Sequence, residues 1–153
     1  MTATNAVYVE TSALLSWLLG DPDGDAVRRI LDDAPVVLIS RLTLVEAARG
    51  LLRAEHELRI SAAERHTLTG MLAAASAGWF RLAMADAICE RAERPFPVEP
   101  VRTLDALHLA SALTALEVYP DLAVLTFDDR VMANARSLGL PVIPSPAGSS
   151  RAT

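Results

Sequence analysis

A chain of 153 residues, 52% apolar and 22% charged, is one domain's worth of protein, able to bury a core without staples and far from a disordered composition. Its net charge of -5 argues against a sequence-blind DNA binder, and since all 14 basic side chains are arginine, a Schiff base, a P-loop or a Ser-Lys dyad is excluded. The single Cys89 excludes a disulfide framework and any multi-cysteine zinc or iron–sulfur site. The start, MTATNAVYVE, has no basic leader, and no uncharged apolar run reaches the ~18 residues a membrane span needs. With one cysteine and no export signal, the cytoplasm is the expected compartment and no membrane partner is expected.

Ala6-Val7-Tyr8-Val9 predicts a short strand, after which Thr11 or Ser12 is placed to cap a helix that stops at Gly20. Asp21-Pro22-Asp23-Gly24 predicts a turn, and Val27, Ile30 and Leu31 line one face of a helix running to Asp33. The continuous apolar run Val36-Val37-Leu38-Ile39 has the pattern of a strand buried on both faces. Ser40 is placed to cap the following helix, which carries Leu42, Val45, Leu51 and Leu52. Ser61-Ala62-Ala63-Glu64 spells a capping box, so a helix is expected from there to about Gly78. Trp79 to Met84 predicts a short strand, and Asp86 to Arg94 a helix closed by Pro95 and Pro97. Helix over Thr103 to Glu117, strand over Leu122 to Phe127, helix over Asp129 to Leu138 and an edge strand at Val142-Ile143 complete the alternation. Apolar strands separated by helices require parallel pairing, so the expected fold is one three-layer α/β/α domain around a central, mostly parallel sheet. It is expected to span residues 1–144, with a flexible Pro/Ser/Gly-rich tail over 145–153.

In such a sheet, ligands bind beyond the carboxyl ends of the strands. Glu10 and Asp128 end two of the predicted strands, with Asp129 beside the latter, and the two acids share a crevice if those strands are neighbours. Taken singly, each is equally explained as an acid favoured by the following helix N-terminus. Asp105 is more telling, because its helix is apolar nearly all round and a buried carboxylate needs a counter-charge, a metal or a polar cleft. A first-turn capping role is weakened because Thr103 can fill it. Glu46 alone reads as a solvated residue on a stripe with Thr43, Gly50, Arg53 and Glu57, able to pair with Arg49 or Arg53. His108, one turn after Asp105, is a candidate base but reads more simply as a hydrogen-bonded core histidine. His56 and His66 fit no zinc spacing, and Trp17, Trp79 and Phe80 read as core.

Four stretches together resemble the PIN-domain ribonucleases of the VapC toxin type. They are Val7-Tyr8-Val9-Glu10-Thr11-Ser12-Ala13-Leu14-Leu15, Leu44-Val45-Glu46-Ala47-Ala48-Arg49, Leu104-Asp105-Ala106-Leu107-His108-Leu109-Ala110 and Leu125-Thr126-Phe127-Asp128-Asp129-Arg130. The third and fourth are the specific ones, and their order covers nearly the whole chain. The resemblance implies a PIN-like domain in which one acid from each stretch converges on a pocket that binds Mg²⁺ or Mn²⁺. Carried over by position, the catalytic acids are Glu10, Glu46, Asp105 and Asp128, with Glu10, Asp105 and Asp128 nearest the metal. Glu46 is either a ligand or acts on the attacking water. Ser12 and Thr126 match supporting hydroxyls, and Asp129 is the neighbour that could replace Asp128. Oxygen-rich acids suit a hard cation, and a water activated beside it can attack an RNA phosphorus in line.

The resemblance further implies an endoribonuclease toxin acting on tRNA or rRNA, a homodimer, and a cognate antitoxin that covers the pocket. The apolar faces of the Ser12–Gly20 and Arg41–Leu52 helices are the expected antitoxin sites. One departure stands out: the family has Asp where this chain has Glu10, so lower metal affinity than in a Glu10→Asp variant is expected. The same departure keeps open a degenerate PIN-fold module that binds RNA or protein without cutting. Two rivals on similar sheets fail on single residues. A phosphoacceptor receiver needs a lysine, and a haloacid-dehalogenase-type phosphatase needs an Asp where Ser12 stands.

Overall fold

The computed structural model describes residues 4–145; residues 1–3 and 146–153, and with them nearly all of the expected tail, lie outside the described part. Among the described residues twelve elements follow the expected order: β1 (Ala6–Val9), α1 (Thr11–Leu18), α2 (Gly24–Asp33), β2 (Val36–Ser40), α3 (Arg41–His56) and α4 (Ala62–Ser76) come first. They are followed by β3 (Phe80–Leu82), α5 (Asp86–Ala92), α6 (Thr103–Val118), β4 (Ala123–Leu125), α7 (Asp129–Ser137) and β5 (Val142–Ile143). Among the described residues, no helix is long and apolar enough to cross a membrane.

The five strands form one sheet in the order β3-β2-β1-β4-β5, with every neighbouring pair parallel. The period of two along each strand sends alternate side chains to opposite faces. Ala6, Tyr8, Leu38 and Val124 pack in one cluster with Ala106, Leu109 and Ala112 of α6 and Val131 and Ala135 of α7. Val7, Val9, Val37, Ile39 and Leu125 pack in the other with Ala13 and Leu14 of α1, Val27 and Leu31 of α2, and Ala47 and Leu51 of α3. These are the two helical layers, and strands buried on both faces explain the apolar runs Ala6–Val9 and Val36–Ile39.

The strand order locates the site. The chain leaves β1 toward β2 and β3, then crosses back to lay β4 on the other side of β1. The direction of winding therefore reverses between β1 and β4, and a crevice opens beyond their carboxyl ends. Val9 is in register with Leu125, and the Glu10 N–H continues the ladder onto the Leu125 carbonyl at 3.0 Å. Glu10 and Asp128 consequently leave adjacent strands side by side.

Several details differ from the sequence expectations, each for a local reason. α1 is capped by Glu10 rather than by Thr11 or Ser12; the Glu10 carboxylate accepts from the Ser12 N–H. Thr103 does not cap α6, whose N-cap residue is Arg102 with no side-chain cap bond. Thr43 is fully buried rather than part of a polar stripe, its hydroxyl donating to the Val9 carbonyl at 3.3 Å. On the same helix Thr43, Ala47, Leu51 and Ala54 form the inward face, and Val45 and Leu52 are exposed. Phe80, on the edge strand β3, is also exposed rather than core. The capping box at Ser61 and Glu64 forms as spelled.

Candidate active site

The loop after β1, the middle of α3, the first turn of α6 and the end of β4 surround one cleft of about 570 Å³. Glu10, Glu46, Asp105 and Asp128 all line it, together with Thr11, Ser12, Arg53 and Arg102. Asp129 is exposed at the first position of α7 and is not part of this lining. His56 and His66 are exposed on α3 and α4, away from the cleft.

Each acid is held by a different local device. Glu10 is almost fully buried, and its Oε2 accepts from the Ser12 N–H at 3.0 Å, from the Thr126 hydroxyl at 2.8 Å and from the Ser12 hydroxyl. The same Ser12 hydroxyl accepts from the Phe127 N–H at 2.9 Å, so it ties the end of β1 to the end of β4. Asp128 caps α7: its Oδ1 accepts from the N–H groups of Arg130 at 2.9 Å and Val131 at 3.0 Å, while the Thr126 hydroxyl accepts the Asp128 N–H. Oδ2 of Asp128 faces Arg102 at 3.4 Å. Asp105, buried in the first turn of α6, pairs through Oδ2 with the Arg102 Nε at 3.0 Å. The counter-charge its burial required is therefore Arg102, a residue singled out by no pattern in the sequence.

Glu46 has neither Arg49 nor Arg53 as an ion-pair partner. Its Oε1 accepts from the Thr11 hydroxyl at 2.8 Å and from His108 Nε2 at 2.5 Å. Partial burial pushes the Glu46 carboxyl upward, but the bonds from His108 and Thr11 outweigh it and hold the group below the ordinary carboxylate range. His108 is itself buried, and its Nδ1 meets the Tyr8 hydroxyl at 2.9 Å. Burial pushes the Tyr8 hydroxyl well above the usual phenol range. Tyr8 and His108 stand 100 residues apart, which is why no local signal joins them, although a tyrosine inside an otherwise aliphatic strand was a visible irregularity.

Whether these groups suit a divalent cation is tested by Arg102. Its guanidinium bridges Asp105 and Asp128, so the cleft already gathers a positive charge between two of its acids. Four carboxylates at the head of the sheet are hard oxygen donors, the chemistry Mg²⁺ and Mn²⁺ prefer. Among the described residues, no three acids, histidines or cysteines are gathered tightly enough to close on an ion in this arrangement. The donor chemistry fits the ion, and two of the four acids, Asp105 and Asp128, are paired with Arg102 in this arrangement.

Comparison with known proteins agrees with the architecture. A family model for the PIN domain matches residues 7–138. The chain is 33% identical over 141 residues to Ribonuclease VapC35 of Mycobacterium tuberculosis strain H37Rv, covering 90% of this chain and 95% of that protein. It is 33% identical over 139 residues to Ribonuclease VapC46 of the same strain, covering 90% and 96%. Among solved structures, Mycobacterium tuberculosis VapC20, described as a sarcin-ricin loop cleaving toxin, superposes with a TM-score of 0.59 at 18% identity, covering 83% of this chain and 93% of that one. A chain of VapBC2 from Rickettsia felis, bound to a DNA fragment from its promoter, gives 0.59 at 9% identity, covering 90% and 96%. At those identities the two structures speak for the fold alone.

Proposed function

This chain belongs to the PIN-domain family, and on that premise we propose that it is a VapC-type toxin, an endoribonuclease that hydrolyses RNA phosphodiester bonds with the help of Mg²⁺ or Mn²⁺. The observation that carries the reading is the convergence of Glu10, Glu46, Asp105 and Asp128 on one cleft from four separate parts of the chain. Glu10, Asp105 and Asp128 are the residues that would hold the ion, supported by Ser12 and Thr126. A divalent cation supplies charge neutralisation at the phosphate and makes water acidic enough to attack at neutral pH.

The protein's own groups do the rest. Glu46 keeps Oε2 without a protein partner among the described residues, while Oε1 is held by Thr11 and His108. An ionised carboxylate with one free oxygen at the edge of the cleft is placed to accept the proton of the attacking water. Arg53, also in the lining, offers a planar fork to phosphate oxygens on a molecule whose overall charge would repel RNA. The relatives' names support RNA as substrate, and a cognate antitoxin as partner belongs to the VapC-type reading. Leu15, Leu42, Val45 and Leu104 form an apolar groove beside the cleft, on the α1 and α3 surfaces where such a partner would cover the acids. A homodimer, a tRNA or rRNA target and the cytoplasm as its place of action belong to the same proposal.

Purified protein should cut structured RNA with Mn²⁺ or Mg²⁺ present, stop on chelation, and lose at least 100-fold of its rate in Asp105→Asn. Cleavage that ignores chelators or survives Asp105→Asn would overturn the assignment. RNA binding without any cleavage would instead support the degenerate module, with Glu10 as its cause.

A further inference from the structure

We infer that His108, backed by Tyr8, is a positioning residue for the reaction: it clamps one oxygen of Glu46 so that the other is presented to the cleft. The inference rests on the ribonuclease reading and extends it to the buried Tyr8–His108 pair behind Glu46. His108 is 1% exposed and is absent from the cleft lining, so it cannot itself reach a substrate. Its Nε2 lies 2.5 Å from Glu46 Oε1, and an ionised carboxylate only accepts, so Nε2 carries the proton. In the neutral imidazole that tautomer leaves Nδ1 as an acceptor, and the Tyr8 hydroxyl at 2.9 Å is the donor it meets. Thr11 donates to the same Glu46 oxygen at 2.8 Å and lies 3.3 Å from Nε2, so Oε1 has two donors and a fixed direction.

The elements involved make the clamp rigid. Tyr8 is fully buried in the central strand, His108 sits on α6 behind the sheet's carboxyl edge, and Glu46 reaches in from α3 on the opposite helical layer. The chain Tyr8–His108–Glu46 thus joins both helical layers through the strand order that creates the cleft. A glutamate on an exposed helix face would sample several rotamers; a carboxylate fixed through one oxygen presents the other at one place. A misplacement of about 1 Å at such a group costs on the order of 100-fold in rate.

The alternative is that the same bonds merely tie α6 to α3. The two amide replacements of histidine separate these roles, because Gln places a donor near the Nε2 position and Asn places one near Nδ1 only. In the full-length protein with Mn²⁺ and a structured RNA, His108→Asn is expected to lower kcat about 10- to 100-fold with KM within about twofold. His108→Gln should recover most of that loss, and Tyr8→Phe, which removes one oxygen, should lose about 3- to 10-fold. In a Glu46→Gln background, all three should have no further effect on the residual rate, because coupled residues are not additive. Mn²⁺ affinity measured by calorimetry should stay within about twofold in all of them.

An unchanged kcat in His108→Asn, equal losses in the Asn and Gln variants, or a full additional loss in the Glu46→Gln background would each overturn the role. So would a tenfold loss of Mn²⁺ affinity, which would make the pair a support of the ion instead. Should His108→Asn not melt cooperatively, Tyr8→Phe and its Glu46→Gln double variant decide the question. Wild-type protein that cuts no RNA strikes the ribonuclease reading and this role together; wild-type cleavage with an unaffected His108→Asn strikes this role alone.

Discussion

Glu10 commits one carboxyl oxygen, Oε2, to three hydrogen-bond donors: the Ser12 N–H, the Ser12 hydroxyl and the Thr126 hydroxyl. That arrangement answers the question raised by the family's usual Asp at this position. The longer side chain folds back to act as the cap of α1, and Oε1 alone remains uncommitted, 3.9 Å from His108 Nε2. Shortening the side chain withdraws the carboxylate by roughly one C–C bond, while Mg²⁺ requires ligand distances of ~2.0–2.1 Å in a near-octahedral set. Glu10→Asp is therefore expected to bind Mn²⁺ more tightly, by about 3- to 10-fold, and to keep its fold, since Asp is a strong N-cap residue. Calorimetric titration of the two proteins checks this, and equal affinities would show that Glu10 already reaches the ion as well as Asp. Arg102 acts in the opposite direction. Its guanidinium is raised further above its ordinary range, first by its hydrogen bond to Asp105 and then by that carboxylate's charge, so it competes for the acids the ion would use.

At the scale of elements, α3 closes in a way its sequence does not advertise. The Arg59 N–H reaches the Ala54 carbonyl at 2.9 Å, a Schellman closure that puts Leu58 at φ 58°. A leucine in the left-handed region costs about 1–2 kcal/mol, and this one is 90% exposed, so no packing offsets the strain. Leu58→Gly is expected to stabilise by about 1 kcal/mol net of the added unfolded-state entropy, raising Tm by roughly 2–4 °C in a thermal melt. A lower Tm would mean that the helix end relaxes without help. This position also shows what the sequence could convey about structure. Strands buried on both faces, the Ser61–Glu64 capping box and the breaks at Gly20 and Pro95 were legible because each is a local signal. The cap of α1 and the burial of Thr43 were not, because each depends on which neighbour the sheet topology supplies. Asp105 was recognisable as needing a partner from its apolar helix, yet Arg102 as that partner was not, since its guanidinium also answers Asp128 from 26 residues away. The Tyr8–His108–Glu46 chain was the least legible part of the site, joining residues from three elements on both sides of the sheet.

For the molecule as a whole, the net charge of -5 takes on a different meaning once four acids face one cleft. Like charges gathered at the head of a sheet repel one another, and a bound cation relieves that repulsion only in the folded state, where the four chain segments meet. Metal binding should therefore register as global stability, independent of any cleavage. At about 100 times the dissociation constant the linkage is worth roughly 2.7 kcal/mol, which for a domain of this size corresponds to a Tm rise of roughly 5–10 °C. Differential scanning fluorimetry with Mn²⁺ should show that rise in the wild-type protein and its reversal by a chelator. Asp105→Asn removes a charge from the cluster and also the partner of Arg102, so it should melt differently without metal and lose most of the Mn²⁺ response. Glu46→Gln should retain most of the response, because Glu46 is assigned to the water and its Oε1 is occupied by Thr11 and His108. A wild-type Tm indifferent to millimolar Mn²⁺, or an equal rise in Asp105→Asn, would separate the acidic cluster from metal binding and leave its convergence to be explained by another ligand.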